Sequence, residues 1–206
     1  MTQHKLPLSN ITVIALEQAV AAPFCSSRLA DAGAHVIKVE RPEGDFARGY
    51  DAAAKGQSSY FVWLNRSKES LTLDLKSKKG HEIFMRLVKE SDVIIENMSE
   101  GTANRLKVGY EDMAQVNPRL VYASISAFGE PSVYPNLKGM DIMVQALSGL
   151  MEVTGFADGP PTRVGIPIAD MVTPLYAVNG ILAALIQRGR TGEGQHVKVS
   201  MLDCLA

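Results

Sequence analysis

Apolar runs of strand length alternate along this chain with longer segments whose apolar residues recur at helical spacing. Such alternation is typical of a mostly parallel β-sheet flanked by helices, because each strand is followed by a helix that returns the chain to the same edge of the sheet. The pattern therefore predicts an α/β, Rossmann-like fold. The predicted strands are residues 11–16, 36–40, 71–75, 92–96, 120–126 and 196–200.

The helices expected between these strands have recognisable ends. Pro23 falls near the first turn of the helix after the first strand, and Gly33 lies just past its end, which is the usual placement of the two residue types. A helix is also predicted from about Ser77, with Ile83, Phe84, Leu87 and Val88 on one face. Further helices are predicted at residues 110–116 and from positions 141, 170 and 201, with a surface loop at residues 129–139.

A lone carboxylate stands where another predicted strand meets a helix. Residues 162–169 read TRVGIPIA, and a long apolar helix pattern begins at Asp170. Taken alone, Asp170 is most simply an N-cap, which stabilises a helix by about 1 kcal/mol. A carboxylate in this position is also placed to act as a nucleophile, and the two roles are compatible because a helix N-terminus favours negative charge.

Composition and charge limit the classes of function. The chain has 206 residues, of which 46% are hydrophobic, and a net charge of −1, so it can form one globular domain or a little more than one. No basic stripe is present, which argues against nucleic acid as a partner. No apolar run approaches the roughly 20 residues that cross a bilayer, and the N-terminus lacks a signal-peptide core. We therefore expect a cytoplasmic protein with no membrane association.

Cysteine and histidine spacing indicates neither a disulfide framework nor a metal site. Cys25 and Cys204 are far apart in apolar surroundings, where cysteine is usually a small core residue. Metal binding is not predicted, because a zinc site needs closely paired ligands and the histidines are dispersed at His4, His35, His81 and His196.

The sheet should bind its ligand at the carboxyl ends of the strands. A dinucleotide site would need glycines after the first strand, but residues 17–23 read EQAVAAP, which argues against NAD. The phosphates of CoA need cations instead of a glycine cradle. Arg41, directly after the second strand, is the best candidate, followed by Lys76 and Lys138. Each of the three, taken alone, is more typical of a solvated surface charge.

Three stretches and one aspartate, in a fixed order, resemble the class III CoA-transferases, also called the CaiB/BaiF or formyl-CoA transferase family. They are GFADGPP at 155–161, Asp170, GILAAL at 180–185 and RTGEGQ at 190–195. The resemblance runs from Leu8 to the last residue and includes GAHVIKVERP at 33–42 and VIIEN at 93–97. It implies that Asp170 attacks the acyl-CoA thioester.

The resemblance also implies a CoA site. CoA would be a substrate, with no permanently bound cofactor, and the second substrate would be a small carboxylic acid. Formyl-CoA transferase has a glutamine where this chain has Val20, which weakens the case for formyl-CoA and oxalate and leaves succinyl-CoA as the default donor. The implied CoA contacts are Val20, Ala21, Arg41, Leu73, Asp74, Leu75, Lys76, Asn97, Met98, Ser99, Arg105, Lys138, Gly139, Met140 and Asp141.

Two alternatives remain open. An α-methylacyl-CoA racemase of the same family carries a histidine base where this chain has Met140, which makes racemisation improbable. A noncatalytic CoA-binding fragment is the other, because family chains are about twice as long. The resemblance implies that residues 1–206 are the N-terminal, Rossmann-like CoA-binding domain that carries the catalytic Asp170, without the small domain and the linkers of an interlocked homodimer. Apolar surface should then be exposed.

Overall fold

The computed structural model describes residues 5–132, 134, 137 and 139–206. One sheet is built from β1 (Thr12–Leu16), β2 (His35–Glu40), β3 (Lys68–Thr72), β4 (Val93–Glu96), β5 (Val121–Ser126) and β6 (Gln195–Ser200). All its strand pairs are parallel, in the order β3-β2-β1-β4-β5-β6. This order is that of a doubly wound sheet whose two halves meet between β1 and β4. The predicted α/β, Rossmann-like fold is confirmed.

Helices cover both faces of the sheet. Cys25 and Leu29 of the first helix pack with Ala177 and Ile181 of the seventh on one face, whereas Phe84 of the third lies in the core of the other face. The helices are α1 (Ala21–Asp31), α2 (Ser59–Asn65), α3 (Lys78–Lys89), α4 (Thr102–Arg105), α5 (Tyr110–Val116), α6 (Asp141–Leu147), α7 (Ile168–Thr191) and α8 (Met201–Leu205), with a short 3-10 helix at Phe46–Gly49.

Two predicted strands differ from the observed structure. The third strand was expected at 71–75 but spans Lys68–Thr72, because it pairs along β2 only as far as Glu40. The strand expected at 162–169 is absent: half of this segment is exposed, its last two residues belong to α7, and no described strand pairs with it. Instead of pairing with a strand, the Val164 backbone N–H donates a hydrogen bond to Oε1 of the buried Gln145 side chain at 2.9 Å.

Helix α7 is long and apolar enough to cross a membrane, which corrects the prediction that no segment meets this criterion. Its contacts with α1, β5 and β6 are those of a core helix in an α/β domain. The opposite face leaves three large apolar side chains exposed, those of Leu175, Tyr176 and Ile186. Exposed apolar surface was expected.

The cysteines are both free. Cys25 is buried in the core, as predicted, but Cys204 in α8 is only partly buried. Among the described residues, no group of three or more histidine, cysteine or acidic side chains could hold a metal ion. His4 lies outside the described residues.

Four charged side chains form a buried ion cluster below the loop between β1 and α1. Glu17, Lys38, Asp45 and Lys68, here called the β1 ion cluster, are each at most 2% exposed at the side chain. Lys68 Nζ lies 2.7 Å from Glu17 Oε1, and Lys38 Nζ lies 2.9 Å from Asp45 Oδ2. Burial would raise the pKa of Glu17, but Lys68 and Lys38 outweigh it and the pKa is lowered. The negative charges of the two carboxylates and the positive charges of the two lysines thus balance within the β1 ion cluster.

Removing one member of this cluster should destabilise the protein strongly. We expect Lys68→Met to lower the free energy of unfolding by roughly 3 kcal/mol, because Glu17 then loses its shortest ion pair while still buried. Urea denaturation measures the change. The double variant Glu17→Gln/Lys68→Met should lose less than the sum of the two single variants, and strictly additive losses would contradict the pairing.

Candidate active site

The positions expected to contact CoA gather at one edge of the sheet. Because all strands are parallel, the loops after β1, β2, β3 and β4 leave from the same side. These loops begin at Glu17, Arg41, Leu73 and Asn97. Helix α7 runs back toward the start of β6, so its N-terminus lies at this edge too. Lys138 falls outside the described residues.

Four exposed cationic or polar positions are available to a phosphate. The Arg41 side chain is 57% exposed, and its Nε donates to the Gly44 carbonyl at 3.1 Å. Lys76 and Ser99 are exposed, and so is Arg105, whose Nη2 donates to Thr102 Oγ1 at 2.6 Å. Exposed guanidinium groups are well suited to phosphate oxygens.

Other predicted contacts could be made only through the backbone or by limited surface. Val20, Ala21 and Leu73 are buried in apolar cores. Leu75 and Met98 pack partly against the core around β4. The buried side chains act in folding, and any ligand contact there falls to main-chain groups.

The remaining predicted positions have distinct surroundings. Asp74 accepts a hydrogen bond from the Lys76 N–H at 3.0 Å. Gly139 lies so close to the chain that an added Cβ would come 1.9 Å from Ala127 Cβ, so only glycine fits there. Met140 is 58% exposed beside it. A flexible thioether thus occupies the position of the racemase base, and it can accept no proton at neutral pH.

Asn97 is engaged with the protein's own backbone. Its Oδ1 accepts from the Gln18 N–H at 3.0 Å, and its Nδ2 donates to the Gln18 carbonyl at 2.9 Å. This reciprocal pair joins the end of β4 to the end of β1, where the strand order reverses. The Asn97 side chain is therefore committed to the loop that follows β1.

Asp170 lies in the first turn of α7, but it does not cap the helix. The helix begins at Ile168 with Pro167 in the N-cap position, so the predicted start at Asp170 and the N-cap interpretation are both wrong. Asp141 supplies the cap from α6, and its Oδ1 accepts from the N–H groups of Ala169 at 2.7 Å and Asp170 at 3.1 Å. Within the described part of the chain, no donor bonds the Asp170 carboxylate.

Burial and a neighbouring acid control the protonation of Asp170. Burial raises the pKa of its carboxyl to about 7, and the negative charge of Asp141 adds to the shift. The positive end of α7 was expected to favour the ionised form. Desolvation and repulsion between the two carboxylates act in the opposite direction, and they place the pKa of Asp170 near neutral pH.

Sequence reasoning missed Tyr50, which lies near the nucleophile candidate. Burial raises the pKa of Tyr50, and the charges of Asp45 and Asp170 raise it further. Its ring begins a series of edge contacts, 5.8 Å from Phe46 and 6.2 Å from Tyr60 between centroids. The concentration of aromatic residues between positions 46 and 63 was the available signal.

The fold and this edge define a class: a doubly wound α/β domain with exposed cationic side chains and a partly buried carboxylate at the carboxyl edge of its sheet. The model of CoA-transferase family III matches residues 8–206, and the chain belongs to this family. A succinyl-CoA:mesaconate CoA-transferase of Haloarcula hispanica is 42% identical over 96% of this chain and 52% of its own length. An acetyl-CoA:oxalate CoA-transferase of Acetobacter aceti is 43% identical over 97% and 52%.

Solved structures of CaiB/BaiF family proteins are similar to this chain as well. A CaiB/BaiF family protein from Brucella suis has a TM-score of 0.93 and 40% identity, covering 98% of this chain and 55% of its own. The chain spans about half the length of the curated relatives it matches.

The pKa of Asp170 predicts a pH-dependent stability. Its carboxyl is harder to ionise in the folded chain than in the unfolded chain. The free energy of unfolding is therefore highest below about pH 4 and falls as the pH rises to about 7. Asp170→Asn should therefore unfold with nearly the wild-type free energy at pH 4 and be more stable by roughly 1–2 kcal/mol at pH 8. Urea denaturation at both values measures this, and an equal effect at both pH values would contradict it.

Asp141 should tune Asp170 through its charge. Asp141→Asn removes the charge and keeps an oxygen for the α7 N–H groups, although the hydrogen bond from Gln145 is lost. We expect the pKa of Asp170 to fall, as measured by carboxyl-carbon NMR titration. Asp141→Ala is the control, because it should lower the pKa similarly but also cost about 1 kcal/mol of helix capping. An unchanged pKa in both variants would show that burial alone sets it.

Proposed function

We propose that the protein containing this chain is a CoA-transferase that moves CoA from an acyl-CoA to a carboxylic acid, with Asp170 as nucleophile. The observation that carries the proposal is the partly buried Asp170 carboxylate in the first turn of α7. The Asp170 carboxylate lies at the edge where the strands end, and none of the residues that the structure describes forms a hydrogen bond with it. Membership of CoA-transferase family III supports the assignment.

The first half-reaction breaks the donor thioester. Asp170 attacks the thioester carbonyl, which forms a mixed anhydride between Asp170 and the donor acyl group and expels CoA thiolate. The thiolate then attacks the Asp170 carbonyl carbon of the anhydride. This step forms an aspartyl-CoA thioester and releases the donor as a free carboxylate.

The second half-reaction is the reverse with another acid. The acceptor carboxylate attacks the aspartyl-CoA thioester, giving a new mixed anhydride and CoA thiolate. The thiolate attacks the acceptor carbonyl, so that acceptor-CoA leaves and Asp170 is a carboxylate again. One thioester replaces another, and the reaction needs no external energy source.

The ionisation of Asp170 fits this chemistry. A carboxylate with a pKa of about 7 is a stronger base and nucleophile than an exposed aspartate, yet about half of it is ionised at neutral pH. Tyr50 lies near enough for the two charges to interact. Its ring and those of its neighbours would form an apolar wall that keeps water from the anhydride.

The CoA moiety would lie along the carboxyl ends of β1 to β4. Arg41 and Arg105 supply exposed cations for its phosphates, while Val20 and Ala21 offer backbone groups only. A small dicarboxylate is the proposed acceptor, with succinyl-CoA as the first donor to test. The names of two relatives, which contain mesaconate and oxalate, support that acid class.

The assembly proposed for the whole protein is a homodimer. The exposed side chains of Leu175, Tyr176 and Ile186 on α7 support this, because an apolar face of that kind is usually covered in the native assembly.

Trapping the covalent adduct tests the proposal. The chain is incubated with isotope-labelled succinyl-CoA, and peptide mass spectrometry is used to find a hydroxylamine-sensitive adduct on Asp170. We expect the yield to rise with pH around 7, following ionisation of the carboxyl. Asp170→Ala should abolish the adduct, whereas Asp112→Asn, which changes an aspartate of α5, should leave it.

The other outcomes separate the alternatives. CoA binding without an adduct would favour a noncatalytic CoA-binding role for this half, which its coverage of the relatives makes the second candidate. Uptake of deuterium at Cα of a 2-methylacyl-CoA would instead indicate a racemase, against the expectation drawn from Met140.

A further inference from the structure

The loop between β1 and α1 turns tightly without a glycine. Ala19 has a φ of +66°, a left-handed conformation that costs a non-glycine residue about 1 kcal/mol. A dinucleotide-binding Rossmann fold places its glycine-rich turn at this point. The strained turn in this chain must therefore be stabilised by other contacts.

Hydrogen bonds hold both residues of the turn. Asn97 bonds the N–H and the carbonyl of Gln18, at 3.0 and 2.9 Å. Asp45 Oδ1 accepts from the Ala19 N–H at 3.2 Å. Asn97 directly follows β4, and Gln18 lies in the loop after β1. The Asn97–Gln18 hydrogen bonds therefore join the two halves of the doubly wound sheet at the point where the strand order reverses.

The β1 ion cluster fixes the same turn from below. Lys38 Nζ, which pairs with Asp45, also donates to the Glu17 carbonyl at 3.4 Å. Lys68 Nζ donates to the Pro23 carbonyl at 3.0 Å, on the far side of the turn. Side chains from β2, β3 and the loop after β2 therefore constrain the backbone from residue 17 to residue 23.

We propose that Asn97 is a positioning residue, which holds the Gln18–Ala19 turn in its left-handed form and so orients the first turn of α1 for CoA. Helix α1 begins at Ala21 and its N-cap residue Val20 makes no side-chain cap, so no side chain in the described ranges pairs with its first N–H groups at the carboxyl edge of the sheet. The Asn97 side chain acts through this backbone and does not itself bind the ligand. The inference rests on the proposed function only for the identity of that ligand.

Asn117 provides a matched control at the opposite edge of the sheet. Its Nδ2 donates to the Val88 and Ser91 carbonyls at 3.1 and 2.8 Å, and its Oδ1 accepts from the Arg119 N–H at 3.1 Å. Asn117 is thus also an asparagine that holds backbone through both ends of its amide. A purely structural role for Asn97 predicts similar behaviour for the two alanine variants.

The experiment measures CoA binding by calorimetry for the wild-type chain, Asn97→Ala and Asn117→Ala. We expect Asn97→Ala to raise the Kd for CoA about tenfold, and Asn117→Ala to leave it within twofold although its Tm also falls. Amide hydrogen exchange by NMR should show faster exchange at Gln18 and Ala19 only in Asn97→Ala. A second pair avoids dependence on Asn97: Ala19→Val should weaken CoA binding more than Ala19→Gly, because β-branched residues avoid positive φ.

The results that overturn the proposal are distinct from those that overturn the proposed function. Unchanged CoA affinity in Asn97→Ala with faster exchange at Gln18 would show that the turn does not orient the ligand site. Unchanged exchange would show that Asn97 does not hold the turn. A wild-type chain that binds no CoA would overturn the proposed function and the ligand named here, while the exchange data would still decide whether Asn97 holds the turn.

Discussion

The parallel direction of all six strands is the constraint on which the site depends. Each strand ends at the same edge, so loops that are distant in sequence meet there, and each helix that precedes a strand begins there. The order of the strands reverses between β1 and β4, where the Asn97 side chain bridges the two loops that follow these strands. Asp170 lies at the same edge, where α7 begins.

Two opposing electrostatic effects meet at Asp170. A helix N-terminus stabilises a carboxylate, but Asp141 already accepts the N–H groups of Ala169 and Asp170. The loss of water, and to a smaller extent the charge of the second carboxylate, then raise the pKa of Asp170 to about 7. The two acids thus have different roles: Asp141 caps the helix, whereas the weakly solvated Asp170 carboxylate has no hydrogen-bond partner among the residues that the structure describes.

Particular segments show where sequence patterns succeed and where they mislead. The short helix Tyr110–Val116 and the strand Val121–Ser126 follow their predicted bounds closely, since local periodicity suffices for a short helix and for a strand that is buried along almost its whole length. The apolar run at 162–169 resembled a strand, but a strand needs a neighbour, and Gln145 bonds this backbone instead. The local pattern favoured Asp170 as the cap of α7. The observed cap is Asp141, which lies 29 positions away in sequence and so is beyond the reach of a local pattern.

The sequence by itself determined the α/β class, the family, and Asp170 as the residue to test, because alternating periodicity and ordered motifs are local or linear properties of the chain. Only the tertiary structure decided what the polar side chains do. Lys38 and Asp45 were not among the candidate residues and Asn97 was expected to contact CoA, yet folding buries the first two as an ion pair and joins the third to Gln18. Their roles depend on distances between segments far apart in sequence, and those distances exist only once the sheet has formed.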